Sequence, residues 1–259
     1  MRVTTIGDLL LDVVVRLDGP LVPGDDRPAE TRVGAGGQAA NVAAWAAALG
    51  AEARVVGKRG ADVAGALVAR ELRARGVRVL GPAEGRTGVV VSLAAGGERT
   101  MASDRGSAPA LRADELERRW FRCDALHVSG YALQAEPSAS AALRAAELAR
   151  DHGARVSLDL AAWTAIGEAF RERVRTLAPD LVFAGERERE ALGALDAAWV
   201  VKRGAAGVVV DGVEHPALPA EVVDATGAGD ALAAGFLVGG LPAGLAAAAR
   251  CCERMGALP

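Results

Sequence analysis

A three-layer α/β/α fold, with a doubly wound and mainly parallel sheet and a small β-sheet lid, is what this sequence predicts on three observations. Short apolar β-branched runs recur along the chain, alanine-rich helical stretches separate them, and two segments break the alternation without a helix of their own.

The strand candidates are Val3–Ile6, Ala53–Val56, Ala125–Val128, Arg155–Leu158, Leu181–Phe183, Trp199–Val201 and Val208–Val210. Runs this short and this apolar suit strands covered on both faces. The helix candidates are Ala39–Leu49, Ala64–Arg75, Ser138–His152 and Ala231–Val238, and glycine follows the pattern at Gly50, Gly76 and Gly153, where it can close a helix. The exceptional segments, about 11–33 and 86–103, are rich in valine and threonine and carry the turn signals Pro23-Gly24-Asp25-Asp26 and Ala95-Gly96-Gly97. They are expected to form a small antiparallel sheet over the carboxyl edge of the main sheet, where open α/β folds bind ligands and a lid is useful.

A chain of 259 residues suits one such domain spanning 1–259. Its formal charge of -3 leaves no basic footprint for nucleic acid or an anionic membrane, so the expected ligand is small. No run is expected to approach the ~20 apolar residues of a membrane span. Asp8 and Asp12 interrupt what would be the apolar core of a signal peptide, and a cytoplasmic location is expected. The three cysteines and three histidines lack metal-ligand spacing.

The most informative stretch is Val223-Asp224-Ala225-Thr226-Gly227-Ala228-Gly229-Asp230, a glycine-rich turn that runs straight into a helix. Small residues there leave unpaired backbone N–H groups and a partial positive charge, suited to a phosphoryl group. Asp230 adds a carboxylate able to take the proton of an attacking hydroxyl. By itself such an aspartate also reads as an N-cap, an arrangement worth about 1 kcal/mol.

A second cluster, Gly34-Ala35-Gly36-Gly37-Gln38-Ala39-Ala40-Asn41, again sets glycines before a helix, with Asn41 one turn inside and able to bond hydroxyls. A third, Gly7-Asp8-Leu9-Leu10-Leu11-Asp12, ends the first strand with two carboxylates, of which Asp12 is the better candidate to grip a polyol. The chain contains neither a G-x-x-x-x-G-K-[ST] loop nor a G-x-S-x-G elbow.

In this order and at this spacing, the three clusters resemble the ribokinase-like (phosphofructokinase-B-type) carbohydrate kinases, from Val3 to Gly256. Gly57-Lys58-Arg59-Gly60-Ala61-Asp62, Gly96-Gly97-Glu98-Arg99-Thr100 and His127-Val128-Ser129-Gly130-Tyr131 fit the same pattern. The resemblance implies ATP and Mg²⁺ near Asp224 to Asp230, with Lys202, Gly204, Gly207, Asp224 and Thr226 on the nucleotide side. It implies that Asp12, Gly36, Gly37 and Asn41 bind substrate, that Asp230 is the base, and that Gly227, Ala228 and Gly229 form the anion hole. It further implies a monovalent cation such as K⁺ beside the hole, with Asp224 as one ligand, and an indirect role for Glu188 toward the metal.

Three departures accompany it. Gly185 stands where the family has the asparagine of Asn-x-x-Glu, although Glu188 keeps the acid. Leu10 stands where ribokinase has an asparagine against the sugar, as in some nucleoside kinases. The chain ends at Pro259, shorter than many relatives, which implies compact loops and a reduced adenine pocket.

The expected activity is ATP-dependent phosphorylation of a hydroxyl on a sugar such as ribose, fructose or 2-keto-3-deoxygluconate. The alternatives are a nucleoside kinase, for which Tyr131 or Trp163 would supply an aromatic platform, and a catalytically silent ligand sensor of the same fold. A dinucleotide-binding oxidoreductase lacks its G-x-G-x-x-G turn after the first strand. The apolar lid residues Val13 to Val15 and Val89 to Val91 are expected to pair with a second copy of the chain.

Overall fold

A computed structural model describes residues 1–95, 98–160 and 162–259. Strand β1 (Arg2–Ile6) leads through Gly7 and Asp8 into β2 (Leu10–Leu17), which returns as β3 (Ala29–Gly36) to start helix α1 (Gln38–Ala48). Strand β4 (Glu52–Val56), α2 (Val63–Ala74) and β5 (Arg78–Leu80) follow, before a second excursion through β6 (Thr87–Ala95) and β7 (Glu98–Gly106). The chain then alternates β8 (Ala125–Ser129), α3 (Ser138–Arg150), β9 (Arg155–Asp159), α4 (Glu168–Leu177), β10 (Leu181–Gly185), α5 (Glu186–Leu192) and β11 (Ala198–Lys202). It closes with β12 (Val208–Val210), β13 (Val213–His215) and α6 (Ala228–Cys252).

Among the described residues the main sheet runs β13-β12-β11-β10-β9-β8-β1-β4-β5, parallel from β11 to β5 and antiparallel at β12 and β13. All seven strand candidates lie in it. From β1 the chain winds outward through β4 and β5, then crosses back to β8 and winds the other way, so the direction reverses between β1 and β8. Ligands bind outside the carboxyl ends of the strands at such a reversal.

Two cores fill the two sides of the sheet. On one, Val3, Val55, Phe183 and Val200 meet α1, α2 and α6; on the other, Ile6, Val128, Leu158 and Val182 meet α3, α4 and α5. Helix α4 escaped the reading of the sequence because half of its residues are charged, yet Phe170, Val174 and Leu177 make the narrow buried stripe that a surface helix needs. Strands β5 (Arg-Val-Leu) and β13 (Val-Glu-His) went undetected because they lack the unbroken apolar run that marks the equally short β12.

The second sheet has the order β3-β2-β6-β7 and is mixed rather than antiparallel as expected, because β2 and β6 run parallel. Both are outgoing strands that leave the main sheet in the same direction, while β3 and β7 are their returning partners. With the outgoing strands side by side at the centre, the central pairing is parallel. The predicted turn at Ala95-Gly96-Gly97 and the Gly96-Gly97 start of the lid motif fall on 96 and 97, outside the described residues.

Helix α6 runs well beyond the predicted Ala231–Val238, across a break at Gly239 and Gly240. By length and composition it is apolar enough to cross a membrane, contrary to the expectation that no segment comes near that length. Here Ala231, Leu232, Ala233 and Ala234 are buried in the core with α1. Trp45 of α1 is fully buried and donates its indole N–H to the Ala257 carbonyl at 2.8 Å, fastening the last residues of the chain to this helix pair. Trp45→Ala is expected to lower stability by about 3–5 kcal/mol, measured by urea unfolding. A loss under about 1 kcal/mol would show that the helix pair does not depend on this side chain.

Candidate active site

Two helices begin side by side beneath the lid, each after a glycine that no other residue replaces without strain. Gly37, before α1, has φ 97°, and a Cβ there would lie 2.3 Å from the Asp8 carbonyl oxygen. Gly227, before α6, has φ 79°, and a Cβ there would lie 2.5 Å from the Ala257 side chain. The first turns of the two helices are joined directly: the buried Asn41 donates its amide N–H to the Asp230 carboxylate at 2.8 Å. The other end of that amide, Asn41 Oδ1, is buried without a partner among the described residues.

Asp12 lies against Gly36, so close that a Cβ at 36 would overlap its carboxylate at 2.0 Å. Burial pushes the Asp12 carboxyl up to about 7. A carboxylate held this way gains from hydroxyl donors that a bound polyol brings.

The lid is latched to the main sheet at the same level. Arg105, at the end of β7, donates to both Asp8 oxygens at 2.6 and 2.8 Å, to the Tyr131 carbonyl at 2.9 Å and to Gln134 Oε1 at 3.3 Å. Its guanidinium also stands over the Tyr131 ring, 6.0 Å from the centroid.

On the other side of Asp230 is a cleft of about 600 Å³, within the range of small-molecule pockets. Its lining includes Ala225, Ala228 and Gly229 from the turn and start of α6, and the apolar Leu218, Pro219, Val222 and Leu245. A broader hollow of about 660 Å³ around Arg189 and Trp199 lies on the opposite face of β11 and carries none of the predicted site residues.

Lys202 enters this cleft from the end of β11, and its ammonium donates to Asp159 at 2.7 and 2.9 Å. Asp159, at the end of β9, is fully buried. Burial pushes its carboxyl up, against the opposing pull of Lys202, and Asp230 and Glu188 add to the rise. Burial works against the Lys202 charge as well, but Asp159 outweighs it and the ammonium is held above its usual range. The Tyr131 hydroxyl is raised first by burial, and Asp230, Glu188, Asp159 and Asp8 add to the rise.

The remaining predicted residues have local tasks. Asp224 Oδ1 accepts from the backbone N–H and hydroxyl of Thr226, and Oδ2 accepts from the Gly256 N–H at 2.9 Å, which shapes the turn ahead of α6. Glu188 accepts from the Gly185 N–H and closes the start of α5, so its visible role is that of a cap. Gly204 and Gly207 line the cleft with Lys202. Among the described residues no three acidic, histidine or cysteine side chains gather as a metal site. Mg²⁺ usually takes one or two carboxylates and completes its shell with phosphate and water, which suits a site where the nucleotide brings most of the ligands.

Asp159, Arg105 and Gln134 went unnoticed in the sequence. Asp159 carries a readable signal, since it directly follows the strand candidate Arg155–Leu158. Arg105 carries none, because its partner Asp8 is 97 residues away.

Comparison with known proteins places the chain in a family. The chain matches the pfkB family carbohydrate kinase model over residues 1–258. It is 32% identical to the ATP-dependent ribose-1-phosphate kinase of Halopiger xanaduensis, covering 92% of this chain and 84% of that one. It is 33% identical to fructokinase-1 of Zea mays, covering 91% and 81%. The adenosine kinase of Sinorhizobium meliloti superposes with a TM-score of 0.87 at 26% identity, covering 100% of this chain and 95% of the other. The chain belongs to the pfkB family of carbohydrate kinases and is an ATP-dependent kinase.

Asp12 generates a prediction about pH. A folded-state pKa raised to about 7 means that the folded protein holds a proton that the unfolded chain has released, so stability falls as pH rises from about 4 to 7. Asp12→Asn removes this penalty. A tenfold change in proton affinity is about 1.4 kcal/mol, so the variant is expected to exceed the parent by a few kcal/mol at most at pH 8 and to match it near pH 4. Equal offsets in urea unfolding at both values would contradict a buried, destabilised Asp12 carboxylate.

Proposed function

We propose that this pfkB-family enzyme transfers the terminal phosphoryl group of ATP to a hydroxyl of a compact sugar or sugar-like substrate, with Asp230 as the base. The observation that carries the reading is the coincidence of Asp230, Asn41 and the glycine-lined start of α6 at the mouth of a 600 Å³ cleft.

ATP would lie with its base against Leu218, Pro219, Val222 and Leu245 and its phosphates toward Ala228 and Gly229. The substrate would lie on the other side of Asp230, beneath the lid, with hydroxyls on Asp12 and against Gly36 and Gly37. Asp230 takes the proton of the attacking hydroxyl, and the N–H groups at the start of α6 face the negative charge on the transferring oxygens. Mg²⁺ when bound would neutralise phosphate charge, with Glu188 the nearest candidate for an indirect contact. A K⁺ requirement would act through the turn that Asp224 shapes. The intact hole and base favour chemistry over the silent-sensor alternative.

The relatives named for ribose 1-phosphate and fructose favour a sugar. Likeness to an adenosine kinase favours a nucleoside. Arg105 covers one face of Tyr131 and is itself locked by Asp8, which leaves that ring poorly placed as a platform for a base, so the sugar reading is preferred.

The lid face opposite Asp12 brings Val13, Val15, Val33, Val91 and Leu93 together in register, with Val33 49% exposed. This apolar face suits a second copy of the chain. Sedimentation is expected to give a dimer at micromolar concentration, and a monomer would remove the lid as an interface.

ATP consumption measured across sugars, sugar phosphates, keto-deoxy acids and nucleosides, with Mg²⁺ and K⁺ supplied, is expected to find one preferred sugar-like acceptor. Asp230→Asn should keep the fold and lower turnover by ~10²–10⁴-fold; near-normal turnover in that variant would remove Asp230 from the role of base.

A further inference from the structure

The chain has two lysines, and their surroundings differ. Lys58 is enclosed between two carboxylates, Glu84 at 2.8 Å and Glu115 at 2.9 Å. Lys202 has one carboxylate, Asp159, which takes two of its three N–H donors; the third has no partner among the described residues. Its side chain is 23% exposed, and it lines the nucleotide cleft. A Cβ added to Gly229 would stand 3.3 Å from Lys202 Nζ, so the ammonium lies directly against the start of α6.

The backbone explains how the lysine reaches this point. Lys202 pairs in register with Gly185, and Asp159 with Phe183, so all four residues share one face of the sheet. Lys202 meets Asp159 across β10, the strand that lies between β11 and β9. A Cβ at 185 would stand 3.3 Å from the Glu188 carboxylate, so Gly185 is closed in by Glu188.

A buried ion pair is weak evidence of a stabilising device, since taking both charges out of water costs as much as their attraction returns. This pair is buried on Asp159's side and open to the cleft on the lysine's, which is how a cation is held ready for an anion. We propose that Lys202 is a catalytic residue whose ammonium, steadied by Asp159, contacts the terminal phosphoryl group of the nucleotide and carries part of its charge during transfer. The proposal rests on the assignment of the cleft to ATP. In the step, the acceptor oxygen forms its bond to phosphorus while the bond to the bridging oxygen breaks and leaves its electron pair on ADP. The acceptor proton passes to Asp230, and Lys202 keeps all its protons throughout. A compact ammonium near the α6 N–H groups adds full charge where the helix supplies only partial charge.

Lys202→Met alone strands Asp159 as an unpaired buried charge and is expected to destabilise the fold, so the deciding variant is Lys202→Met combined with Asp159→Leu, which removes both charges. Three properties are measured on it: stability to urea, turnover on the best acceptor, and calorimetric affinities for ATP and ADP. The expected result is stability close to the parent, turnover at least 100-fold lower, and tenfold or greater loss of affinity for ATP with ADP within threefold. Turnover restored together with stability, or an unchanged preference for ATP over ADP, would overturn the proposal and leave the pair a structural one. If the parent turns over no acceptor, the assigned reaction fails, whereas the ATP and ADP affinities still decide Lys202.

Discussion

The close packing of α1 against α6 is the constraint on which the site depends. Both helices meet through small residues, Ala39, Ala40, Ala43 and Ala44 on one and Ala231, Ala233, Ala234 and Ala247 on the other, all buried in the same core. Small side chains let helix axes approach closely, and interior packing tolerates little error in their spacing. That approach brings Asn41 within 2.8 Å of Asp230. It also sets the two helix starts side by side.

Charge is then distributed around this junction with unusual economy of partners. Asp8 is spent on Arg105 and holds the lid, while Asp159 is spent on Lys202 and holds a cation in the cleft. Asp12 is left with a raised pKa that substrate hydroxyls can relieve. Asp8 and Asp159 sit at or just beyond the carboxyl end of a main-sheet strand, and Asp12 sits near the start of β2.

The lid follows from the same arrangement. Its two outgoing strands leave the main sheet beside each other, so their pairing is parallel, and the returning strands deliver Gly36 to α1 and Arg105 to Asp8. One excursion thereby ends at the start of the helix that carries Asn41, and the other ends at the latch. Movement of this sheet would alter both ends of the substrate site together.

The sequence by itself determined much of this protein, because short-range physics writes short-range patterns. Apolar runs mark covered strands, glycines mark the starts of α1 and α6, and the ordered clusters around Asp12, Asn41 and Asp230 identify the chemistry. What only the tertiary structure decided lies at longer range. The parallel pairing of β2 with β6, the extension of α6 past Gly240, and the tasks of Arg105 and Asp159 left little trace in local sequence. Asp159 and Lys202 are 43 residues apart, and Asp8 and Arg105 are 97. Such pairs exist because strand ends from distant parts of the chain arrive at one sheet edge, and no local pattern encodes which ends will meet.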